Sequence, residues 1–399
     1  MIDVVAAGAV SPLGLGDAAW SNGPLGAPAP LRIVRDEALV AAGLRRPFAA
    51  RVPIDTTADV EPDRATALLL HVLAQIEPAL PRGARIGLAL GSSSGAMRSA
   101  ERLFAALASF APITPSQLEA ATYHAPFRAA VARLQQSGHQ VVRRAHVLTA
   151  CSASTLAIGL GMAWLDARAC DLVIAGGYDA LTTFVAAGFE ALGATTSTTP
   201  PRPFRLGRDG MSLGEGAGVL LLRRSDPSCP RLARLLGAGA AGDAVHLTAP
   251  DREGRGLSRA ATQAIARAAI DPSTIDLISV HGTSTAFNDP MESKAIARAL
   301  GPHGRQVAVH AAKASIGHTL GAAGVLETLL AIDAIRRAIV PATAGEGALD
   351  PDVDAHPRAQ RTSHGPTRAQ ALGRVRRRQR GLDPRRARRR RAVPSTVHA

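Results

Sequence analysis

The chain has 399 residues and a formal net charge of +14, and 46% of its residues are hydrophobic. This length is enough for two domains or one large double domain with a substantial core. Aromatic residues make up only 3% of the chain, which argues against the stacked aromatic surfaces that bind single-stranded nucleic acid. The three cysteines, Cys151, Cys170 and Cys229, form no CxxC pair, so they indicate neither a disulfide framework nor a cysteine zinc site.

The N-terminus carries an acid, Asp3, and no basic segment of the kind found in signal peptides. No uninterrupted apolar run reaches about 18 residues, the length that a membrane-spanning helix needs. We therefore expect a cytoplasmic protein without a membrane span.

Almost all of the net positive charge lies in one stretch. Residues 355–399 contain 14 Arg, no Lys and one acid, Asp383, and so carry +13 of the net +14. The preceding residues are close to neutral, so any argument from charge to nucleic acid concerns this tail alone. A basic nucleic-acid-binding arm and plain disorder both fit such a composition. We expect disorder and no nucleic-acid partner, because the tail contains no aromatic residue and nothing before it indicates nucleic-acid binding.

Apolar strand-like segments alternate with amphipathic segments along the chain. The predicted strands are residues 2–7, 85–90, 146–149, 171–176, 210–222 (where a Gly-rich turn precedes the strand), 275–280 and 306–311. The predicted helices, where apolar residues recur at helical spacing, are residues 63–77, 97–108, 127–136, 257–269, 290–300 and 321–336. This alternation predicts an α/β protein whose largely parallel sheets are covered by helices on both faces.

One cysteine lies where a predicted strand turns into a helix. Residues 146–149 lead to Ala150 and Cys151, and the small residues 152–155 then open a helix. The free N–H groups at a helix N-terminus favour negative charge, so we expect the thiol to have a lowered pKa and to act as a nucleophile. The alternative is a small buried hydrophobic residue, which is the usual role of a free cysteine. A nucleophile needs partners elsewhere in the chain.

Two further segments carry histidines in turns that contain glycine. In VHGTSTAFND an apolar strand ends at His281, and Thr283 and Thr285 follow; in AKASIGHTLGAAGVLE, Lys313 and His318 precede an Ala-rich helix. Each segment alone also fits a buried histidine or a helix-capping loop. One cysteine and two histidines in such turns together indicate a catalytic group. A Cys/His/His zinc site is the competing interpretation, although its ligands would lack paired local spacing.

These segments together resemble the β-ketoacyl-acyl-carrier-protein synthases of the thiolase-fold condensing-enzyme superfamily. TACSAS, HGTSTAFND and KASIGHTLGAAGVLE are similar to the three signatures of that family, and VVAAGAVSPLG, LGSSSG, VIAGGYDA and RPFRLGRDGMSLGEGAG match it in the same order. The resemblance covers about residues 1–345. His318 in the third position makes the chain closest to the elongating Cys-His-His type rather than the Cys-His-Asn type. The presence of Cys151 distinguishes it from chain-length-factor subunits.

The resemblance implies a decarboxylative Claisen condensation. Cys151 would take an acyl group from an acyl carrier protein, and a malonyl carrier thioester would lose CO2 to give an enolate that attacks the acyl-Cys carbonyl. The product would be a 3-oxoacyl carrier thioester in fatty acid or polyketide-type biosynthesis. His281 and His318 would donate hydrogen bonds to the enolate oxygen. Lys313, paired with Glu327, would set the local electrostatics and orient His318.

The resemblance assigns supporting roles to the loop after His281. Thr283 and Thr285 would bind the amide groups of the phosphopantetheine arm of the carrier protein, and Asp289 would support the loop. It implies no metal and no bound cofactor, only that arm as substrate carrier. The alternative function is a catalytically impaired or non-catalytic condensing-fold protein that binds acyl carrier protein. The acyl length and the pathway stay open.

The resemblance also implies a thiolase-like fold in which two similar βα halves form an αβαβα layered arrangement. The expected divisions are a nucleophile half (residues 1–224), an incomplete two-histidine half (residues 225–354) and the Arg-rich tail (residues 355–399). The implied partners are acyl carrier protein and a second synthase subunit, in a homodimer or in a heterodimer with a related subunit.

After Ala355 the chain departs from the family pattern. Members continue to an Asn-Ser-Phe-Gly-Phe-Gly-Gly-type segment, which supplies a backbone N–H to the oxyanion hole and a phenylalanine over the cysteine. Here LDPDVDA still fits the family, but HPRAQRTSHGPTRAQALGRVRRRQRGL follows, so we expect the last strands to be missing. A reading-frame shift near Ala355 is our hypothesis. One consistent codon choice for ALGRVRRRQRGL, read one base later, gives Pro-Ser-Ala-Ala-Phe-Gly-Gly-Val-Asn-Ala-Ala.

Sequencing the gene from an independent isolate tests this hypothesis. We expect a frame that continues beyond Ala355 into an uncharged, Gly-containing segment instead of the Arg-rich tail. An intact frame through this region with the Arg-rich tail retained would contradict it.

Overall fold

The fold is described from a computed structural model, which covers residues 1–21, 31–54, 63–245, 249–351 and 353. The predicted disorder of the Arg-rich tail and the expected loss of strands after Ala355 lie outside these residues. The strands are β1 (Ile2–Ser11), β2 (Gly14–Leu15), β3 (Val34–Arg35), β4 (Phe48–Ala50), β5 (Arg85–Gly91), β6 (Gln140–Val147), β7 (Leu172–Asp179), β8 (Leu213–Gly214), β9 (Gly216–Arg224), β10 (Ala233–Leu235), β11 (Leu277–Ser279) and β12 (Ala308–His310). The α-helices are α1 (Ala18–Ser21), α2 (Glu37–Ala41), α3 (Arg64–Ile76), α4 (Met97–Ala108), α5 (Pro115–Ala120), α6 (Ala125–Gln136), α7 (Ala153–Asp166), α8 (Thr183–Ala191), α9 (Arg255–Ala268), α10 (Asn288–Leu300), α11 (Lys313–Ile316) and α12 (Ala323–Arg337).

The main sheet has seven strands in the order β10-β1-β9-β7-β5-β6, with β2 attached to β1. Strand β5 runs parallel to both β6 and β7, as the alternation of strands and helices predicts. Strand β9 runs antiparallel to β7 and β1, and β10 runs antiparallel to β1. The prediction of largely parallel sheets is therefore wrong for the part of the sheet formed by β10, β1 and β9. The alternation stops there, because β8, β9 and β10 follow one another without the crossover helix that parallel neighbours need.

The elements stack in five layers. Helices α3 and α6 cover one face of the main sheet through residues such as Leu73 and Leu134. Helices α7 and α12 cover the other face, where Leu329 joins the largest apolar cluster. On the far side of α12 lies a parallel sheet of β11 and β12, against which α9 and α10 pack through Ile265 and Ile296. The predicted thiolase-like αβαβα arrangement is confirmed.

The two sheet layers are unequal in the part of the chain that the structure describes. Seven strands form the first layer, whereas β11 and β12 alone form the second. Strand β10 comes from the second half of the sequence but joins the first sheet beside β1. A separate small sheet has the order β3-β4-β8 and brings the start of the Gly-rich segment before β9 next to residues 48–50.

The burial and close packing of the two inner helices, α7 and α12, account for their sequences. Every residue of α12 from Ala323 to Ala334 is buried, which is expected of a helix packed between two sheets. The helices approach each other closely at Gly324, where a Cβ would lie 2.0 Å from Oγ1 of Thr155. Across the described ranges, no helix combines the length and the apolar character that crossing a membrane requires.

Candidate active site

Cys151 lies at the turn between β6 and α7, where the sequence predicts it. A single 3-10 turn over Ala150–Ser152 joins the strand to the helix. Ala150 adopts a left-handed backbone conformation with φ of 49°, and Oγ of Ser152 donates a hydrogen bond of 2.7 Å to the carbonyl of Thr149. Strand β5 comes close beneath this turn, because a Cβ on Gly91 would lie 2.3 Å from the carbonyl carbon of Ala153. The turn therefore holds Cys151, a half-buried residue, at the end of the parallel strands.

His318 lies directly beside this sulfur. Its Nε2 is 2.9 Å from Sγ of Cys151, and its Nδ1 accepts a hydrogen bond of 3.1 Å from the N–H of Leu320. Its backbone is fixed by Gly214, whose N–H donates to its carbonyl, and by Ser212, whose carbonyl accepts from its N–H, at 2.9 and 2.8 Å. Because Nδ1 acts as an acceptor, the ring proton lies on Nε2. His318 therefore presents an N–H donor to the sulfur and to any group bound beside it.

His281 follows β11 and completes the group. The backbone N–H groups of His281 and Gly282 donate to the two carboxylate oxygens of buried Glu292, at 2.6 and 2.9 Å. The ring of His281 lies edge-on to that of His318, with centroids 5.1 Å apart. Both histidines thus face the same space beside Cys151. The sequence pattern missed Glu292, although an acid one turn into the helix that follows the histidine loop is the signal that could have identified it.

The three side chains are close enough to hold a metal ion. The sulfur of Cys151 and a ring nitrogen of each histidine lie within 4.8 Å of one another. A histidine that binds a metal through Nε2 ordinarily donates a hydrogen bond from Nδ1. Nδ1 of His318 instead accepts one, from Leu320. The donor set of His281, His318 and Cys151 therefore fits a hydrogen-bonding site better than a zinc site.

Lys313 and Glu327 form a buried ion pair behind the histidine loop. Nζ of Lys313 contacts Oε1 of Glu327, and both side chains are almost completely buried. Burial raises the pKa of Glu327, and the charge of Lys313 opposes this shift. Lys313 reaches His318 through the backbone, because its carbonyl accepts a hydrogen bond of 3.0 Å from Gly317, the residue before the histidine.

The predicted lowering of the cysteine pKa is wrong. Burial raises the pKa of Cys151 to about 11, and the charges of Asp179 and Glu327 add to this shift. The positive charge of Lys313 and a backbone hydrogen bond act in the opposite direction but do not outweigh burial. The sequence argument considered the helix N-terminus alone. Removal of the sulfur from water disfavours its charged form more strongly than that local effect favours it.

The loop after His281 is held by a second buried acid. Asp289 accepts hydrogen bonds from the N–H groups of Ser284 and Phe204, at 3.1 and 2.8 Å. Burial raises its pKa to about 7 despite these donors. The hydroxyls of Thr283 and Thr285 lie 3.1 Å apart on this loop, with Thr283 buried and Thr285 half-buried. Asp289 therefore fixes the loop that presents the two predicted substrate-binding hydroxyls.

The sequence pattern also missed Asp179, a fully buried acid at the end of β7. Its carboxylate accepts five hydrogen bonds, from Oγ of Ser92 (2.8 Å), the N–H groups of Ser93 (2.7 Å), Ser94 (2.9 Å) and Gly321 (2.6 Å), and Oγ of Ser94 (2.7 Å). Burial raises its pKa in spite of these donors. The signals in the sequence are an acid that ends an apolar strand and a serine run that ends another. Asp179 links the loop after β5 to the loop that carries His318.

Two family models match consecutive parts of the chain. Residues 72–228 match the N-terminal domain of beta-ketoacyl synthase, and residues 232–346 match its C-terminal domain. Together the two matches cover more than half of the chain. The first contains Cys151, and the second contains His281 and His318.

Curated and solved proteins give the same assignment. The 3-oxoacyl-[acyl-carrier-protein] synthase 2 of Coxiella burnetii is 34% identical over 271 residues, which are 65% of this chain and 64% of that protein. The chain thus spans less than two thirds of the length of this curated relative. Among solved structures, a type II PKS acyl-carrier protein in complex with its ketosynthase bound to the hexaketide gives a TM-score of 0.80, at 25% identity and coverage of 89% of this chain and 91% of the matched one. The ishigamide ketosynthase/chain length factor gives a TM-score of 0.80 and 27% identity, with the same coverage.

The raised pKa of Cys151 predicts slow alkylation at neutral pH. A thiol with a pKa of about 11 is ionised to only about one part in ten thousand at pH 7. We expect the iodoacetamide rate at Cys151, followed by peptide mass spectrometry, to rise about tenfold per pH unit up to pH 10, since the thiolate is the reactive form. The Cys151→Ser variant reports the background from Cys170 and Cys229. A plateau reached near pH 8.5, as in a free cysteine, would contradict the raised pKa.

Proposed function

Because the chain belongs to the beta-ketoacyl synthase family, we propose that it condenses an acyl group on Cys151 with a malonyl carrier thioester. The product is a 3-oxoacyl carrier thioester, which makes the protein a 3-oxoacyl-[acyl-carrier-protein] synthase. One observation carries the proposal: Nε2 of His318 lies 2.9 Å from Sγ of Cys151, while Nδ1 of the same ring accepts a hydrogen bond from Leu320. A nucleophile and a fixed donor at this distance define a space in which a thioester carbonyl can react.

The first step is acyl transfer to the sulfur. The thiol of Cys151 attacks the carbonyl of an acyl carrier thioester, the bond to the carrier sulfur breaks, and the proton of Cys151 passes to that leaving sulfur. The N–H of His318 stabilises negative charge on the Cys151 sulfur while this transfer takes place. This help matters because the resting thiol is protonated at neutral pH.

The second step forms the new carbon–carbon bond. A malonyl carrier thioester loses CO2, and the electron pair of the broken bond moves to the thioester oxygen as an enolate. His318 and His281 lie together beside the sulfur and donate hydrogen bonds to this oxygen. The enolate carbon attacks the acyl carbonyl, the bond from that carbonyl to the sulfur of Cys151 breaks, and the departing thiolate takes up a proton from the solvent. The nucleophile and the two hydrogen-bond donors of the reaction are thus side chains of this group.

We propose electrostatic and substrate-binding roles for the residues around the catalytic group. Lys313 opposes the effect of burial on the Cys151 pKa, which supports an electrostatic role for its pair with Glu327. Thr283 and Thr285 present hydroxyls that can bind the amides of the phosphopantetheine arm. We divide the chain into a nucleophile half (residues 1–224) and a two-histidine half (residues 225–354), a division supported by the two family matches.

We also propose acyl carrier protein and a second synthase subunit as partners. Solved neighbours include one ketosynthase with its acyl-carrier protein and another with a chain length factor. In this chain β6 ends the main sheet and pairs with β5 alone among the described strands. Val142 and Leu148, on and just after β6, are exposed. An open strand edge with exposed apolar side chains suits a sheet that continues into a second subunit.

Acylation of Cys151 tests the proposed reaction. The protein incubated with acyl carrier thioesters of several chain lengths is expected to gain the acyl mass on Cys151, and malonyl carrier thioester is expected to release CO2. Replacing His318 with Ala removes one donor to the enolate and should slow decarboxylation by about 10²–10³-fold. The control is His71→Ala, an exposed histidine on α3. Absence of acylation at Cys151 for every chain length would leave the non-catalytic, carrier-binding alternative.

A charge on the β6 edge tests the second subunit. We expect the chain to sediment as a dimer, and Val142→Asp to sediment as a monomer at micromolar concentration, because a buried carboxylate without a partner opposes association. Leu192→Asp, at an exposed position just after α8, should leave the dimer intact. If Val142→Asp sedimented as a dimer, as the unmodified chain is expected to, β6 would not be part of the interface.

A further inference from the structure

Strand β6, at the end of the main sheet, carries two adjacent arginines at its centre. Arg143 and Arg144 are the fourth and fifth of its eight residues, and both are exposed. Among the described strands, β6 pairs with β5 alone. Successive side chains of a strand point to opposite faces of the sheet. The edge therefore presents one positive charge on each face.

No acid of the described chain neutralises these two charges. Residues 120–165, which include α6 and β6, contain four arginines and no Asp or Glu. Elsewhere on the described surface exposed arginines pair with acids, as Arg298 does with Glu253 at 3.0 Å. No carboxylate of the described residues forms such an ion pair with Arg143 or Arg144. Their charges are therefore available to a partner.

The same edge also has apolar side chains that favour association. Val142 and Leu148, on and just after β6, are 40% and 46% exposed. Their burial against a second subunit would be favourable whatever that subunit is. The effect of the two arginines, in contrast, depends on the charge that the partner places opposite them.

A second copy of this chain would bring like charges together. A two-fold dimer presents the same surface from both subunits. An axis perpendicular to the sheet makes the two β6 strands antiparallel and keeps each side chain on its own face. With this axis at the strand centre, either Arg143 meets Arg143 of the second copy or Arg144 meets Arg144. Like charges directly opposite each other in a sheet are destabilising.

This like-charge contact does not depend on a single register. When Arg143 lies directly opposite its copy, Arg144 lies diagonally from its own, and the reverse holds one residue further along. Diagonal neighbours are about 7–8 Å apart, which is within reach of long side chains. The Debye length at physiological ionic strength is about 8 Å, so salt screens this repulsion only in part.

We propose that β6 selects a related synthase subunit whose edge strand carries acids opposite Arg143 and Arg144. This inference rests on the proposal that β6 lies in the subunit interface. Val142 and Leu148 supply an attraction that any partner shares. The two arginines discriminate, because they repel a second copy and attract an acidic strand. A second copy forms the weaker dimer and is displaced when the acidic subunit is present.

Mixing the chain with a charge-reversed copy tests this selectivity. The double variant Arg143→Glu and Arg144→Glu supplies an acidic strand on an otherwise identical subunit, and heavy-isotope labelling lets native mass spectrometry count mixed and pure dimers. The ratio of the squared mixed-dimer concentration to the product of the two pure-dimer concentrations should exceed its value for random mixing at least about tenfold. The excess should fall in about 1 M salt, where the Debye length is about 3 Å.

Two further variants isolate the effect of the arginines. The double variant Arg143→Gln and Arg144→Gln removes the repulsion, so its self-dimer should be about threefold tighter than the unmodified dimer in sedimentation at low salt. This comparison stands alone if the charge-reversed chain fails to fold. The control is Arg35→Glu with Arg305→Glu, which changes the net charge equally at exposed positions outside β6 and should mix randomly with the unmodified chain.

Several results would overturn the selectivity. Random mixing of the unmodified and charge-reversed subunits, or a glutamine variant that self-associates no more tightly, would leave β6 in the interface but remove the charge discrimination. An equal excess of mixed dimers with the control variant would assign the attraction to net charge. If no dimer of any kind formed, the interface proposed for β6 would fail together with its selectivity. The condensing reaction is measured independently, through acylation of Cys151.

Discussion

The buried carboxylate of Asp179 is the constraint on which the geometry of the site depends. It accepts five hydrogen bonds from the loop after β5 and from Gly321, three residues after His318. Burying a carboxylate without a cation costs several kcal/mol, and each hydrogen bond to a charged group returns about 1.5–3 kcal/mol. The raised pKa of Asp179 shows that the donors do not fully offset burial. Both loops must therefore stay in place to keep this charge solvated, and this requirement fixes His318 relative to the Cys151 turn.

Other buried acids hold the segments around the site in the same way. Glu292 accepts hydrogen bonds from the backbone N–H groups of His281 and Gly282. Asp289 accepts one from the N–H of Ser284 in the following loop, and Glu327 pairs with Lys313 behind the histidine loop. Each segment that carries a histidine is thus tied to an acid that burial makes costly to leave unpaired. Loops that would otherwise be mobile become parts of the core. This explains how three side chains from distant parts of the sequence meet within a few ångströms.

The sequence predicted the local features well and the long-range ones poorly. The strand-to-helix turn at Cys151 and the two histidine turns depend on neighbouring residues, so motif spacing was sufficient to locate them. The carboxylate at Asp179 was not recognised, because its donors come from residues about 85 and 142 positions away and no local pattern connects them. The sheet directions failed for the same reason: β9 pairs with β1, more than 200 residues earlier. The cysteine pKa was wrong because burial is a property of the whole fold.

The raised pKa of Cys151 is compatible with a nucleophile once the resting and reacting states are separated. Oxidation and disulfide exchange require a thiolate, so a thiol that stays protonated at neutral pH is protected while no substrate is bound. In the proposed acyl transfer the thiolate need exist only as the new bond forms, and the N–H of His318 lies 2.9 Å from the sulfur to stabilise it then. A permanently ionised sulfur would occupy that donor before the substrate arrived. Burial therefore costs the protein a reactive thiolate at rest, and in the proposed reaction the His318 donor beside the sulfur stabilises charge only when it develops.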